Sequence, residues 1–101
     1  MNEFPVSLSV RASAHGEAVA SHWFATMLNP KYRGSAWSWP NFPIFAENHA
    51  RATVWQNFSE LEWREWEPEL REAAGRSAAA AAQRLVHESG ILDWWSSPIL
   101  N

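Results

Sequence analysis

Val6, Leu8 and Val10 alternate with Ser7, Ser9 and Arg11, the two-residue period of a half-buried strand, and Pro5 stands where a strand start tolerates a missing N–H. Ala14-His15-Gly16 then reads as a turn. From Glu17 the period changes. Val19, Trp23 and Met27 recur every four residues, with Ala20, Phe24 and Leu28 beside them, so the spacing predicts a helix over 17–28 with one broad apolar face. Asn29-Pro30 ends it, because the residue before a proline avoids the helical region.

Residues 30–48 lose all periodicity. Pro30, Pro40, Pro43 and Gly34 break up a run of aromatics (Trp37, Trp39, Phe42, Phe45), and the segment reads as a long aromatic-rich loop. Two readings stand for residues 49–66. Alternation at Ala50, Ala52 and Val54, and again at Leu61 and Trp63, supports a hairpin turning through Gln56-Asn57-Phe58-Ser59. Against it, Ser59 followed three residues later by Glu62 is the signature of a capping box opening a helix. The strand-prone residues Thr53, Val54, Trp55 and Trp63 tip the choice toward the hairpin.

The last third is unambiguous. Pro68 suits a first helical turn, and Glu67, Glu69 and Glu72 favour its positive dipole end. Leu70, Ala74, Ala78, Ala81, Ala82, Leu85 and Val86 follow at helical spacing, which predicts a helix over 68–89. Gly75 is a point of bending, and Gly90 is the expected left-handed terminus, with Ile91 folding back. The apolar tail, Trp94-Trp95 to Ile99-Leu100, is expected to dock on the domain.

These elements amount to one α+β domain over residues 1–101: a small, mainly antiparallel sheet packed against helices 17–28 and 68–89. Composition adds that the core is built from few, large pieces. Eight tryptophans and five phenylalanines stand within a hydrophobic fraction of 47%, and each buried tryptophan removes roughly 150–250 Å² from water. Without cysteine there are no disulfides and no thiolate metal ligands. Neither a signal-peptide pattern nor a membrane-length apolar run is visible, so a cytoplasmic protein is expected.

Charge narrows the partners. Arg11, Lys31, Arg33 and Arg51 against Glu3, Glu17 and Glu47 leave residues 1–58 at +1. Four arginines against seven glutamates and Asp93 leave residues 59–101 at −4. Duplex nucleic acid needs a basic stripe that this chain lacks. His15, His22, His49 and His87 do not stand at zinc-site spacing, and the sequence contains no nucleophile elbow, glycine-rich phosphate loop or Ser-x-x-Lys, so no metal, cofactor or catalytic residue is assigned.

The order of a helix, Pro30-Lys31-Tyr32, aromatic strands, then Gly75-Arg76-Ser77 opening an alanine-rich helix resembles a double-stranded-RNA-binding domain over residues 16–89. That family holds phosphates with paired lysines after the serine. Here Ala78 and Ala79 occupy those positions, so the resemblance implies an α+β shape and no RNA contact.

What remains is protein binding. Trp37, Trp39 and Phe42, with Arg33 beside them, are of the types that anchor interfaces, although aromatics alternating with prolines equally cap a small core, while Glu62, Glu65 and Glu69 around Trp66 offer an acidic face to a basic groove on another protein. A small inhibitor or adaptor acting by steric block fits this set, in the style of phage or mobile-element counter-defence (anti-CRISPR-like) and immunity proteins, as a monomer or homodimer. The alternatives are an accessory subunit of a larger complex and, further off, a small enzyme or sugar-binding domain.

Overall fold

A computed structural model describes residues 3–28 and 39–91, and there the chain is helical. Helix α1 spans Val6–Met27, α2 spans Phe42–Thr53 and α3 spans Glu60–Ser89, with short 3₁₀ turns at Trp39–Asn41 and Val54–Asn57. No strand occurs among the described residues. The α+β architecture expected from the sequence, including the shape implied by the RNA-binding resemblance, is therefore corrected to an all-α bundle. Residues 29–38 and 92–101, which include Arg33, Trp37 and the Trp94-Trp95 tail, lie outside the described residues.

The strand expected at 6–10 is the first turn and a half of α1. Its alternation covers only five residues, and the longer run Leu8, Ala12, Gly16, Val19 and Ala20 forms the buried stripe of a helix. The turn expected at Ala14-His15-Gly16 is helical for the same reason. Most of the expected aromatic loop beyond residue 38 is also helical. Pro43 lies in the first turn of α2, where its missing N–H breaks no bond, and Phe42, Ala46 and Ala50 recur every four residues to face the interior. The expected hairpin over 49–66 is instead the end of α2, a 3₁₀ turn and the start of α3.

The capping box decides that last segment. The Ser59 hydroxyl accepts from the Glu62 backbone N–H at 3.2 Å, and the Glu62 carboxylate accepts from the Ser59 N–H at 2.9 Å. Helix α3 then kinks at Trp66 (φ −123°, ψ 19°), two residues before Pro68, whose ring cannot follow a straight helix. It runs unbroken through Gly75, the expected bend, and ends at Gly90, where φ is +70° and the N–H reaches the His87 carbonyl at 3.3 Å.

The helices run up, down and up. Phe4 meets Trp66 and the Ser77 hydroxyl donates to the Ser13 carbonyl at 2.7 Å, which sets α1 and α3 parallel. His15 meets Thr53 while Trp23 meets Phe45, so α2 is antiparallel to α1. The α1–α3 contact is lined by small residues: Ala12, Gly16 and Ala20 on one helix, and Ala74, Ala78, Ala81 and Ala82 on the other, all buried. Larger side chains fill the rest of the interior, led by Phe42, Leu70 and Val54, which are fully buried. Each such burial contributes about 1.5–3 kcal/mol.

Gly16 and Gly75 should respond unequally to alanine. A Cβ on Gly16 would overlap the Ala74 carbonyl oxygen and come within 2.8 Å of the Ala78 nitrogen, both backbone atoms that cannot swing away. A Cβ on Gly75 meets mainly the Arg51 side chain, at 2.7 and 2.9 Å, which can move. Gly16→Ala is expected to cost about 2–4 kcal/mol despite its better helix propensity, by forcing the helices apart. Gly75→Ala should cost less, between neutral and about 1 kcal/mol, because only side-chain atoms of Arg51 and Glu47 must shift and the gain in helix propensity offsets part of that. Urea unfolding of both variants tests this, and equal midpoints would refute the close approach at Gly16.

Candidate functional site

The aromatics expected to face a partner are divided by the fold. Trp39 is 4% exposed and Phe42 fully buried. Trp39 packs on Phe24 (ring centroids 5.3 Å) and on Phe42 (5.5 Å), and Trp23 meets Phe45 edge-on at 5.4 Å. Together these rings close the end of the bundle where α1 finishes and α2 begins. Trp39 and Phe42 thus belong to the core, because the prolines beside them open a helix rather than prop up a loop. Trp66 is half-buried against Phe4, with centroids 5.5 Å apart.

Leu28 and Ile44 remain exposed at that end, and the other exposed large apolar side chains lie elsewhere. Trp55, in the 3₁₀ turn after α2, is 52% exposed, and Leu61, in the first turn of α3, is 74% exposed. They flank the Phe58-Ser59 turn, and neither stood out in the sequence because both fitted a strand. On α1, Val6 and Val10 are 78% and 60% exposed, on the side away from buried Leu8 and Ala12. Their four-residue spacing opposite the buried stripe was the signal available.

Helical spacing also sorts the glutamates. Arg64 pairs with Glu60 at 2.8 Å, Arg71 with Glu67 at 3.1 Å, and Arg76 with Glu72, each one turn apart. Arg71 also lies over the Trp63 ring at 5.0 Å and donates to the Arg51 carbonyl. Glu62 is held by the cap and by Arg11 at 3.5 Å; the Ser59 backbone N–H, with Arg11 adding to it, lowers its pKa below the usual carboxylate value. Glu65 and Glu69, also one turn apart, have no ion pair among the described residues. The acidic face expected from the sequence thus reduces to these two carboxylates.

A polar cluster ties α1 to the turn after α2. The Asn57 amide donates to His15 Nδ1 at 2.9 Å, His15 Nε2–H donates to Thr53 Oγ1 at 2.8 Å, and the Thr53 hydroxyl donates to the His49 carbonyl at 2.8 Å. This chain of donors requires a neutral His15 with its proton on Nε2. Arg11 extends it by donating to the Asn57 carbonyl while lying over Phe58 at 4.6 Å. No group of three His, Asp or Glu side chains converges on a metal-sized point among the described residues. Outside the cluster, Phe4, Ser9, Ser13, Glu69, Ala73 and Ala80 help to line an open groove of about 440 Å³ between α1 and α3, on the side away from α2.

Two measurements test these placements. Burial, and secondarily the His49 charge, push the His15 pKa below its ordinary 6.5, so below that pH the unfolded chain binds the proton more readily. Stability is therefore expected to be full above about pH 6.5 and to fall as pH drops from there through the lowered folded-state pKa. His15→Gln should flatten that part of a melting-temperature profile, and an unchanged slope would refute the placement of His15 in this polar cluster. Trp39→Ala should cost about 3–5 kcal/mol in urea unfolding, the range for emptying an aromatic core site, whereas a surface anchor would lose less than about 1. No family model matches this chain, and it is similar to no curated protein and to no solved structure.

Proposed function

We propose that the chain is a non-catalytic protein-binding module whose contact surface is the end of the bundle formed by the Val54–Asn57 turn and the start of α3. The observation that carries this is that Trp55 and Leu61 are both exposed on either side of the Phe58-Ser59 turn, with Glu65, one helical turn after Leu61, an exposed carboxylate that has no cation among the described residues. A large aromatic and a leucine on a capped, well-ordered turn bury area at little entropic cost, and an unpaired acid beside them selects a basic surface. The mode of action is occupancy: an inhibitor or adaptor covers its partner's site, as a phage counter-defence protein covers a host enzyme. No helix among the described residues is long and apolar enough to cross a membrane.

The test is affinity capture from the cells that make the protein, with matched variants. Trp55→Ser combined with Glu65→Lys should reduce recovery of the partner at least tenfold, equivalent to about 1.4 kcal/mol, with an unchanged melting temperature. Glu88→Lys, at the opposite end of α3, should not reduce it. Equal recovery with both variants would refute this surface as the binding site.

A further inference from the structure

We propose that a second copy of this chain docks, antiparallel, on the groove face of α1 and α3. This goes beyond the end-on binding surface, and it uses different residues. The outer face of α3 reads Glu69, Ala73, Arg76, Ser77, Ala80 and Arg84, spaced by three or four residues so that all fall on one side. Its centre is small: Ala73, Ser77 and Ala80, with Ser9 and Ser13 of α1 beside them in the groove. Such a surface lets a second helix pair approach where the residues are small, with the exposed Arg76–Glu72 pair at its centre folding aside.

Charge sets the orientation. Glu69 and Arg84 are both exposed and neither has an ion pair among the described residues. A two-fold axis crossing α3 between Arg76 and Ser77 sets Glu69 of each copy opposite Arg84 of the other, about 11 Å on either side of the axis at the helical rise of 1.5 Å per residue. Ala73 then faces Ala80 and Trp66 faces His87. Arg76, near the axis, brings its own Glu72, so the two guanidiniums that meet there arrive neutralised. A parallel dimer instead sets Glu69 against Glu69 and Arg84 against Arg84. The antiparallel two-fold alone is self-complementary.

The apolar contribution comes from α1. Ser13 lies level with Ser77, through their hydrogen bond, so the axis crosses α1 near Ser13, with Val10 one turn away and Val6 two. Docking covers both valines, which are otherwise among the most exposed large apolar side chains described. The face from Trp66 to His87 is about 30 Å long and the bundle about 20 Å wide, so each copy can bury at most roughly 600 Å² and the pair about 1,200 Å², which reaches the total of about 1,000 Å² that a specific interface needs.

Sedimentation equilibrium of the purified chain and its charge variants tests this. The wild type should show twice the monomer mass of 11.5 kDa. Glu69→Arg alone and Arg84→Glu alone should each sediment as monomers with unchanged helical circular dichroism, because both pairs become like-charged. Mixing these two monomeric variants should restore the dimer mass, since each then meets an opposite charge at both positions. A monomeric wild type would overturn the proposal and leave the groove to a different protein. Single variants that remain dimeric would overturn it by placing the dimer contact on another face. Neither outcome touches the Trp55–Leu61 surface, which the capture experiment tests separately.

Discussion

The contact between α1 and α3 at Gly16 is the constraint from which the rest of this bundle follows. With no side chain at Gly16, the backbone of α3 lies where a Cβ would be, and the alanines on both sides of the contact keep the helices that close. Helices that nearly touch leave no room between them for leucine or isoleucine, so the middle of this interface contains few large aliphatic side chains. Bulk is needed where the space widens. At one end Trp23, Phe24, Trp39, Phe42 and Phe45 fill it, and at the other Phe4, Phe58, Trp63 and Trp66 do. Four of the described tryptophans (Trp23, Trp39, Trp63 and Trp66) and the scarcity of aliphatics at this contact are thus two sides of one packing solution, with small residues at the waist and aromatic rings at the ends.

That solution also explains which elements were legible in the sequence. Helix α3 was readable from Pro68 to Gly90 because its apolar stripe, its acidic first turn and its glycine terminus all agree. Its true start was readable too, since Ser59 and Glu62 form the capping box that was weighed against the hairpin. Helix α1 was half read. Val6, Leu8 and Val10 match a strand over a window too short to separate a period of 2 from one of 3.6, and Gly16 passed for a turn. In fact Gly16 is helical, and it is glycine because another helix lies against it. Short-range signals mark both uses of glycine alike; only the long-range contact with Ala74 and Ala78 tells them apart. Helix α2 was hidden by Pro40 and Pro43, which break a helix in its interior but not in its first turn.

The site residues were obscured by the same errors. Trp39 and Phe42 looked like surface anchors because they stood in an apparent loop, and loops lie on surfaces. Once α2 is a helix, Phe42 begins its buried stripe and Trp39 packs beside it. Trp55 and Leu61 suffered the reverse: assigned to strands, they were placed on a sheet face that does not exist. The glutamates were the recoverable part. Helical spacing couples Glu60, Glu67 and Glu72 to arginines one turn on, and the capping box retains Glu62, which leaves Glu65 and Glu69 uncompensated.

The residual charges have a direction. After pairing, Glu65 and Glu69 are unmatched in the first half of α3, while Arg84 and Glu88, one turn apart, are unmatched in the second and offset each other, so the outer face is acidic at its start and near neutral at its end. Surface pairs one turn apart contribute only about 0.3–0.5 kcal/mol each, so this pattern adds little to stability and more to the orientation in which anything docks. An antiparallel pair of bundles satisfies that polarity and carries the two Trp55–Leu61 ends to opposite poles of the assembly. In the proposed dimer, two such ends on one rigid body would engage a repeated or dimeric partner with a gain set by effective concentration rather than by new contacts. On the proposed reading the groove and the exposed turn are complementary: a face of small and charged residues fixes the geometry, and Trp55, the exposed one among the described tryptophans, makes the contact.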